Sequence, residues 1–244
     1  MRIEMLYPEV ANLHGDNVNI TYLSQCRPDA EIVRTTLTDT PVFVTGDVDL
    51  LYLGPMPESV QLKVIARLRP YASRLSELID AGTCCLFTHN AFEVLGEALQ
   101  TPDGAAIEGL GIFPLRTTLH LLDRYSGKVT GVAEGNRIVG YKAQFSSVEA
   151  ADSLPGFLTA DRGIGRNRST AIEGVRRNNF IGTSLLGPLL ITNPGFTKAL
   201  LRLMDPDAEP VLAHEDLVNQ AYEARLADFE DPKRWHPWER PTAG

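Results

Sequence analysis

Three features are scarce in this sequence: cysteine, basic charge and long apolar runs. Among its 244 residues are three cysteines, Cys26, Cys84 and Cys85, an odd number that does not suit a disulfide framework. The formal net charge of -8 argues against nucleic acid or an anionic membrane as a main partner, because both need a basic surface. No apolar run reaches membrane-spanning length, and the N-terminus lacks the apolar core of a secretory signal. We therefore expect a cytoplasmic protein with reduced thiols and no membrane insertion.

The five histidines are dispersed along the chain. No two of them have the spacing of metal ligands, and no Cys-x-x-Cys pair lies near them. Residues 163–165, Gly-Ile-Gly, lack the strand-to-helix context of a dinucleotide-binding loop. The sequence therefore predicts no metal and no cofactor.

The first half of the chain alternates between strand-like and helix-like segments. This alternation predicts an α/β fold with a mainly parallel central sheet flanked by helices, and with ligands at the C-terminal ends of the strands. The composition, 43% hydrophobic and 22% charged, favours one large domain over residues 1–230, followed by a tail over residues 231–244. The expected strands cover residues 2–7, 31–35 and 49–53, and the expected helical regions cover residues 17–26 and 58–80, the second kinked or divided at Pro70.

After Gly96 the pattern changes to short β-like runs separated by Gly, Asn and Asp, which is typical of added antiparallel hairpins. These runs cover residues 128–133, 137–144 and 157–160. The last expected elements are an apolar strand and two helices, over residues 180–191, 194–204 and 214–230. In the tail, Trp235 and Trp238 are expected to contact the body of the protein or a partner, and the body is favoured because exposed tryptophan is costly.

Residues 83–96 predict a strand, a tight turn and a helix. The apolar strand rises to Thr88, and the apolar residues after the turn have the spacing of a helix that packs on a sheet. Such an elbow presents one side chain at the end of the strand and directs backbone N–H groups toward it. Enzymes place a Ser or Cys nucleophile at this position, whereas this chain has His89.

Three further motifs carry a family resemblance. Residues 7–16 read Tyr-Pro-Glu-Val-Ala-Asn-Leu-His-Gly-Asp, residues 107–111 read Ile-Glu-Gly-Leu-Gly, and residues 181–190 read Ile-Gly-Thr-Ser-Leu-Leu-Gly-Pro-Leu-Leu. In this order they resemble the class I, CobB/CobQ-like glutamine amidotransferases, most closely the GatD-type subunits that partner a MurT-like Mur ligase in lipid II amidation. The resemblance covers nearly the whole chain and implies a flavodoxin-like class I glutamine amidotransferase fold.

The resemblance also implies that the family's catalytic residues are replaced. The family hydrolyses glutamine with a Cys at the elbow, where this chain has His89, and with a His in the later motif, where this chain has Leu186. Gln144 stands in a third altered motif. Because the chemistry needs a thiolate and a base, these replacements imply that no catalytic residue is intact.

Candidate ligand-binding positions remain at Gly54, Asn90 and Arg124. The family's glycine-rich loop corresponds to residues 54–58, Gly-Pro-Met-Pro-Glu, in which two prolines remove N–H donors for a developing negative charge. Asn90 stands at a glycine position of the elbow. Arg124 stands where the family has an Arg that helps to hold the carboxylate of glutamine, so glutamine or a related small amino acid is the implied ligand.

Several interpretations stay open at the level of sequence. His89 either closes a strained turn, which is favoured, or binds a ligand or transfers a proton. Cys84 or Cys85 is conceivable as a replacement nucleophile, although an apolar strand predicts buried thiols with a raised pKa. The arginines over residues 162–177 either hold a phosphate or an acidic partner, or, as is favoured, are solvated loop charges.

Two functions are consistent with these observations. The first is a GatD-like subunit without glutaminase activity that acts as a partner, scaffold or small-ligand-binding subunit of a MurT-like ligase or another synthetase. The second is an active amidotransferase subunit that supplies ammonia for amidation of a cell-wall precursor or a cobyrinate-type substrate. Residue chemistry favours the first and homology favours the second, since a fold does not fix a function.

Overall fold

The computed structural model describes residues 1–120 and 122–235. The first strands, in chain order, are β1 (Arg2–Leu6), β2 (Glu31–Thr35), β3 (Leu50–Leu53), β4 (Cys84–Thr88), β5 (Ala98–Gln100), β6 (Ala106–Glu108) and β7 (Leu115–Leu119). They are followed by β8 (Tyr125–Ala133), β9 (Asn136–Gln144), β10 (Ser146–Ala150), β11 (Leu158–Arg162), β12 (Ile172–Glu173), β13 (Val175–Arg177) and β14 (Phe180–Thr183). The α-helices are α1 (Val18–Cys26), α2 (Glu58–Leu68), α3 (Ala72–Asp80), α4 (Pro194–Met204) and α5 (Glu215–Glu230).

The central sheet has the strand order β13-β14-β4-β3-β1-β2. Its strands β1 to β4 and β14 are parallel, and β13 pairs with β14 in the antiparallel direction at one edge. β3 and β4 are buried along their whole length and are mostly apolar, which is the pattern of a parallel sheet covered on both faces. The parallel strands therefore end at one edge of the sheet, with β4 between β3 and β14.

Helices cover both faces of this sheet. On one face, α2 and α3 contribute Leu68 and Leu75 to the cluster that contains Phe87 of β4. On the other face, α1 and α4 contribute Leu23 and Leu200 to a second cluster. The predicted α/β architecture with a mainly parallel, helix-flanked sheet is confirmed.

The second half of the chain adds two smaller sheets, with the strand orders β10-β7-β5-β6 and β12-β11-β8-β9. β8 and β9 form a hairpin in which both turn residues, Glu134 and Gly135, have positive φ (51° and 71°), the geometry that matches strand twist. The predicted antiparallel additions are confirmed, although β5 and β7 pair in the parallel direction.

The helical region around Pro70 is divided, as predicted, with a 3-10 turn at Arg69–Tyr71 between α2 and α3. Two other elements differ from the sequence-based prediction. The strand expected over residues 180–191 ends at Thr183, because the N–H of Ser184 donates to the Glu173 carboxylate rather than to a neighbouring strand. The helix expected after the elbow is a 3-10 helix, His89–Leu95.

The described part of the tail contacts the body of the protein. The indole N–H of Trp235 donates to the Phe229 carbonyl at 3.1 Å, and the Arg162 guanidinium lies 5.0 Å from the centre of the Trp235 ring. Trp238 lies outside the described residues, and the division of the chain at residue 230 stays a prediction. None of the helices in residues 1–120 and 122–235 has the length and apolar character needed to cross a bilayer.

Candidate active site

The elbow at the end of β4 holds His89 in the left-handed region of backbone space, with a φ of 52°. The ring is not presented to solvent, because the residue is only 6% exposed. Its Nε2 lies 2.9 Å from the Ala143 carbonyl oxygen, so this nitrogen carries the proton and donates. Burial lowers the pKa of His89, which keeps the imidazole neutral. His89 therefore closes the turn against β9 rather than pointing into an open cleft.

Glu93 is buried in the 3-10 helix that follows the elbow. Its carboxylate accepts hydrogen bonds from the Ser146 hydroxyl at 2.6 Å and from the Gln61 side-chain amide at 3.2 Å. Burial raises its pKa to about 7, and these two hydrogen bonds oppose the shift. The carboxylate thus ties the elbow to α2 and to β10.

The loop after β3 is locked onto the elbow by Asn90. The Asn90 side chain donates to the Met56 carbonyl at 2.7 Å and accepts from the Met56 N–H at 3.1 Å. Met56 lies between Pro55 and Pro57, which have no N–H. The one amide hydrogen of this three-residue stretch is therefore already bonded within the protein.

Gly54 begins the same loop, and packing explains why it is glycine. A β-carbon there would lie 2.5 Å from the Ala11 carbonyl oxygen and 3.2 Å from the Tyr52 hydroxyl. The backbone of the opening motif thus approaches this loop too closely for a larger residue.

Gln144 is the last residue of β9, and Leu186 pairs with Tyr141 of the same strand. The N–H of Leu186 donates to the Tyr141 carbonyl at 2.8 Å, and its aliphatic side chain is buried. The Gln144 amide nitrogen donates to the Ser146 carbonyl at 2.9 Å, and its side-chain oxygen has no partner within the described residues. The structure therefore brings His89, Leu186 and Gln144 to the end of one strand.

Arg124 stands apart from this group. The residue is exposed, and its guanidinium lies 5.2 Å from the centre of the Phe145 ring. Phe145 directly follows Gln144, so this contact places Arg124 near the end of β9.

Asp16 is a site residue to which the sequence reasoning gave no role. Its buried carboxylate accepts from the Thr88 hydroxyl at 2.5 Å, from the Tyr52 hydroxyl at 2.8 Å and from the Gly187 N–H at 3.0 Å. It thereby joins the ends of β3 and β4 to the loop after β14. The signal for Asp16 in the sequence is its position at the end of the opening motif, residues 7–16.

The thiols near the elbow are inaccessible. Cys84 and Cys85 are buried within β4, where burial raises the pKa of Cys84 to about 12 and the pKa of Cys85 well above its usual value. This agrees with the prediction of inert thiols. In the part of the chain that the structure describes, no group of three or more His, Cys, Asp or Glu side chains has the geometry of a metal site.

Two of the arginines over residues 162–177 are buried and bond to backbone carbonyls. Arg166 is buried and donates to the carbonyls of Gly174, Leu154 and Pro155 at 2.7 to 2.8 Å. Arg162 is fully buried and donates to the Phe229 and Arg234 carbonyls. Both expectations for this segment, a phosphate site and solvated charge, are wrong for these two residues, because each guanidinium is enclosed and bonded to backbone carbonyls.

Comparisons with known proteins identify the family. Residues 2–194 match the model of the CobB/CobQ-like glutamine amidotransferase domain. Over 197 residues the chain is 27% identical to the lipid II isoglutaminyl synthase (glutamine-hydrolyzing) subunit GatD of Staphylococcus aureus (strain N315), covering 78% of each protein.

Among solved structures, the chain resembles a glutamine amidotransferase at a TM-score of 0.55 and 11% identity, covering 82% of this chain and 98% of that one. It also resembles a glutamine amidotransferase from Thermotoga maritima at a TM-score of 0.52 and 8% identity, covering 93% and 94% of the two chains. At these identities the structural likeness concerns the fold alone.

Proposed function

The chain belongs to the CobB/CobQ-like glutamine amidotransferase family, and from that premise we propose that it is a family subunit without glutaminase activity. The observation that carries the proposal is His89 at the elbow, where the resemblance places the nucleophile. Its imidazole is buried and donates to the Ala143 carbonyl. With this neutral imidazole in place of a cysteine, the elbow has no thiolate to attack the amide carbon of glutamine.

The surroundings of His89 support the same conclusion. The base position holds Leu186, whose side chain can neither take up nor release a proton. The Met56 N–H is bonded to Asn90, so it is not available to a developing oxyanion. Loss of one such donor costs about 3 kcal/mol of transition-state stabilisation in acyl-transfer enzymes.

The proposed role is that of a partner, scaffold or small-ligand-binding subunit of a MurT-like ligase in the cytoplasm. The support is the relative from Staphylococcus aureus, which is named as a subunit of lipid II isoglutaminyl synthase. Arg124 is the candidate group for the carboxylate of glutamine or a related amino acid, because it is exposed and lies against Phe145.

A second candidate is an active amidotransferase subunit that supplies ammonia for a cell-wall or cobyrinate-type substrate. The observation in its favour is the 27% identity to a subunit described as glutamine-hydrolyzing. This alternative needs hydrolytic residues at new positions, and the buried Cys84 and Cys85 are poor candidates because their raised pKa disfavours the thiolate.

A glutaminase assay with the candidate ligase present separates the two functions. We expect no ammonia release above background from the native chain, with the relative from Staphylococcus aureus and its own partner as the positive control. Ammonia release by the native chain that is lost in Cys84→Ala or Cys85→Ala would contradict the proposal. Co-purification of the chain with the ligase tests the scaffold role, and absence of a complex at micromolar concentration would contradict it.

Thermal unfolding tests ligand binding without turnover. A ligand that binds only the folded protein at 100 times its Kd stabilises it by about 2.7 kcal/mol, so millimolar glutamine should raise the Tm. Arg124→Ala should abolish this rise, whereas Arg116→Ala, which removes an exposed arginine paired with Glu97, should keep it. An equal rise in both variants would exclude Arg124 as the carboxylate-binding group.

A further inference from the structure

A polar cavity of about 300 Å³ lies between β10 and the loops that follow β7 and β11. Its lining includes an imidazole, hydroxyl groups, a carboxylate and a guanidinium, contributed by His120, Ser147, Asp123 and Arg168 among others. None of these four side chains takes part in the proposed function. Within this cavity, the Ser147 hydroxyl has the chemistry of a nucleophile and the His120 imidazole has the chemistry of its base.

Strand pairing places the hydroxyl and the imidazole side by side. β7 and β10 are antiparallel, with Ser147 opposite Thr118. His120 directly follows β7, and its backbone N–H donates to the Phe145 carbonyl at 2.6 Å, which extends the ladder by one bond. The His120 Nε2 then lies 2.9 Å from the Ser147 Oγ, within the range seen for a nucleophile and its general base.

Asp123 and Arg168 set the charge around this pair. Arg168 donates to the Asp123 carboxylate at 2.7 Å. This hydrogen bond and the charge of Arg168 lower the pKa of Asp123, and the nearby His120 contributes to the lowering. Asp123 therefore stays ionised and stabilises the positive charge that His120 acquires when it takes up a proton.

We propose that Ser147 and His120 form a second reactive centre that hydrolyses small, polar carboxylic esters. The Ser147 Oγ forms a bond to the acyl carbon while its proton passes to the His120 Nε2. The bond from the acyl carbon to the leaving oxygen breaks, and that oxygen takes the proton from His120. Water then attacks the acyl-serine with His120 as base, which releases the acid and restores the Ser147 hydroxyl.

The polar lining and the size of the cavity favour short, hydrophilic acyl groups over long aliphatic ones. The neighbouring Ser146 is not the nucleophile, because its hydroxyl donates to Glu93 at 2.6 Å. This centre is independent of glutamine hydrolysis, so its success or failure leaves the proposal for the elbow unchanged.

Covalent labelling with a fluorophosphonate probe tests the proposal on the full chain. The Ser147 oxygen forms a bond to phosphorus and fluoride leaves, and peptide mapping should locate one adduct on Ser147. His120→Gln should slow the labelling by about 100-fold, because a general base contributes 10² to 10⁴ in rate. Ser169→Ala is the matched control, since Ser169 lines the same cavity but its hydroxyl donates to Asn167, and its labelling should match that of the native chain.

Turnover of p-nitrophenyl acetate gives the second readout. Ser147→Ala should lose it, and Asp123→Asn should lower kcat with little change in KM, because this carboxylate acts on the imidazolium and not on the bound ester. An adduct on another residue, no labelling of the native chain, or equal labelling of His120→Gln and the native chain would each overturn the proposal. Circular dichroism of each variant checks that the fold is retained.

Discussion

At the scale of single residues, burial decides which ionisable side chains have a shifted pKa. Glu93 and His89 are four positions apart around the elbow, and burial favours the neutral form of both. As the pH rises, the pKa shifts of His89 and Glu93 change the free energy of unfolding in opposite directions. The lowered pKa of His89 costs stability as the pH falls below about 6.5, where the unfolded chain takes up a proton that the folded chain does not.

Glu93→Gln should remove a loss of stability that develops as the pH rises from 4.5 to about 7. The folded-state pKa is about 7 against the usual 4.5, so between these values the folded protein keeps a proton that the unfolded chain has lost. Stability therefore falls as the pH rises through this window, by about 3 kcal/mol in all. The variant should show a flatter dependence of the free energy of unfolding on pH, measured by urea denaturation from pH 4.5 to 8.

Glu223→Gln, at an exposed position of α5, is the control and should keep the native slope. Comparing each variant with the native chain at one pH cancels the contribution of His89. A native slope in Glu93→Gln would show that Glu93 is ionised throughout this range.

At the scale of elements, the elbow depends on close packing between β14 and the 3-10 helix after β4. Gly182 lies opposite Phe87 in the parallel ladder. A β-carbon on Gly182 would come within 2.6 Å of the Phe92 Cβ and 2.9 Å of its Cγ. Real contacts are not this short, so the residue type at position 182 sets the distance between the elbow and the sheet.

Gly182→Ala should therefore destabilise the protein by about 1–3 kcal/mol, because overpacking forces Phe92 and the elbow to move. Urea denaturation measures the loss. The control is Gly46→Ala, whose added β-carbon would meet its nearest neighbours at 3.4 Å, and this change should cost less than the change at Gly182. Equal stability of Gly182→Ala and the native chain would mean that the elbow shifts freely.

At the scale of the whole molecule, a buried ion pair within the sheet β12-β11-β8-β9 includes the carboxylate that joins this sheet to the central sheet. The Lys142 ammonium on β9 lies 3.4 Å from the Glu173 carboxylate and donates to the Gly165 carbonyl at 2.6 Å. Glu173 also accepts from the Thr183 hydroxyl and the Ser184 N–H at the end of β14. Burial lowers the pKa of Lys142, and the charge of Glu173 opposes that shift.

Lys142→Met should cost about 3–5 kcal/mol, because it leaves the Glu173 carboxylate buried without its cation. Glu173→Gln in the same chain should restore part of this loss by removing the isolated charge. Arg116→Ala, in an exposed pair with Glu97, should cost less than about 1 kcal/mol. If urea denaturation showed that the losses of stability from the Lys142 and Glu173 changes are additive, the two residues would not interact and the prediction would be contradicted.

Local patterns in the sequence are sufficient to predict the order and kind of most elements. Apolar periodicity and turn residues are local signals, so β2 and α4 have the predicted bounds and the elbow lies at His89. The motif order was sufficient to indicate the family before any contact was known.

The tertiary structure alone decided what the polar residues do. The bond between Asn90 and Met56, the carbonyl contacts of Arg166 and the pairing of Lys142 with Glu173 join residues that are far apart in the chain. Local pattern carries no record of such contacts, because the fold brings these groups together and removes water from them. Burial then fixes their protonation and their partners, so the chemical environment of the elbow depends on how β4, β9 and the loop after β3 pack together.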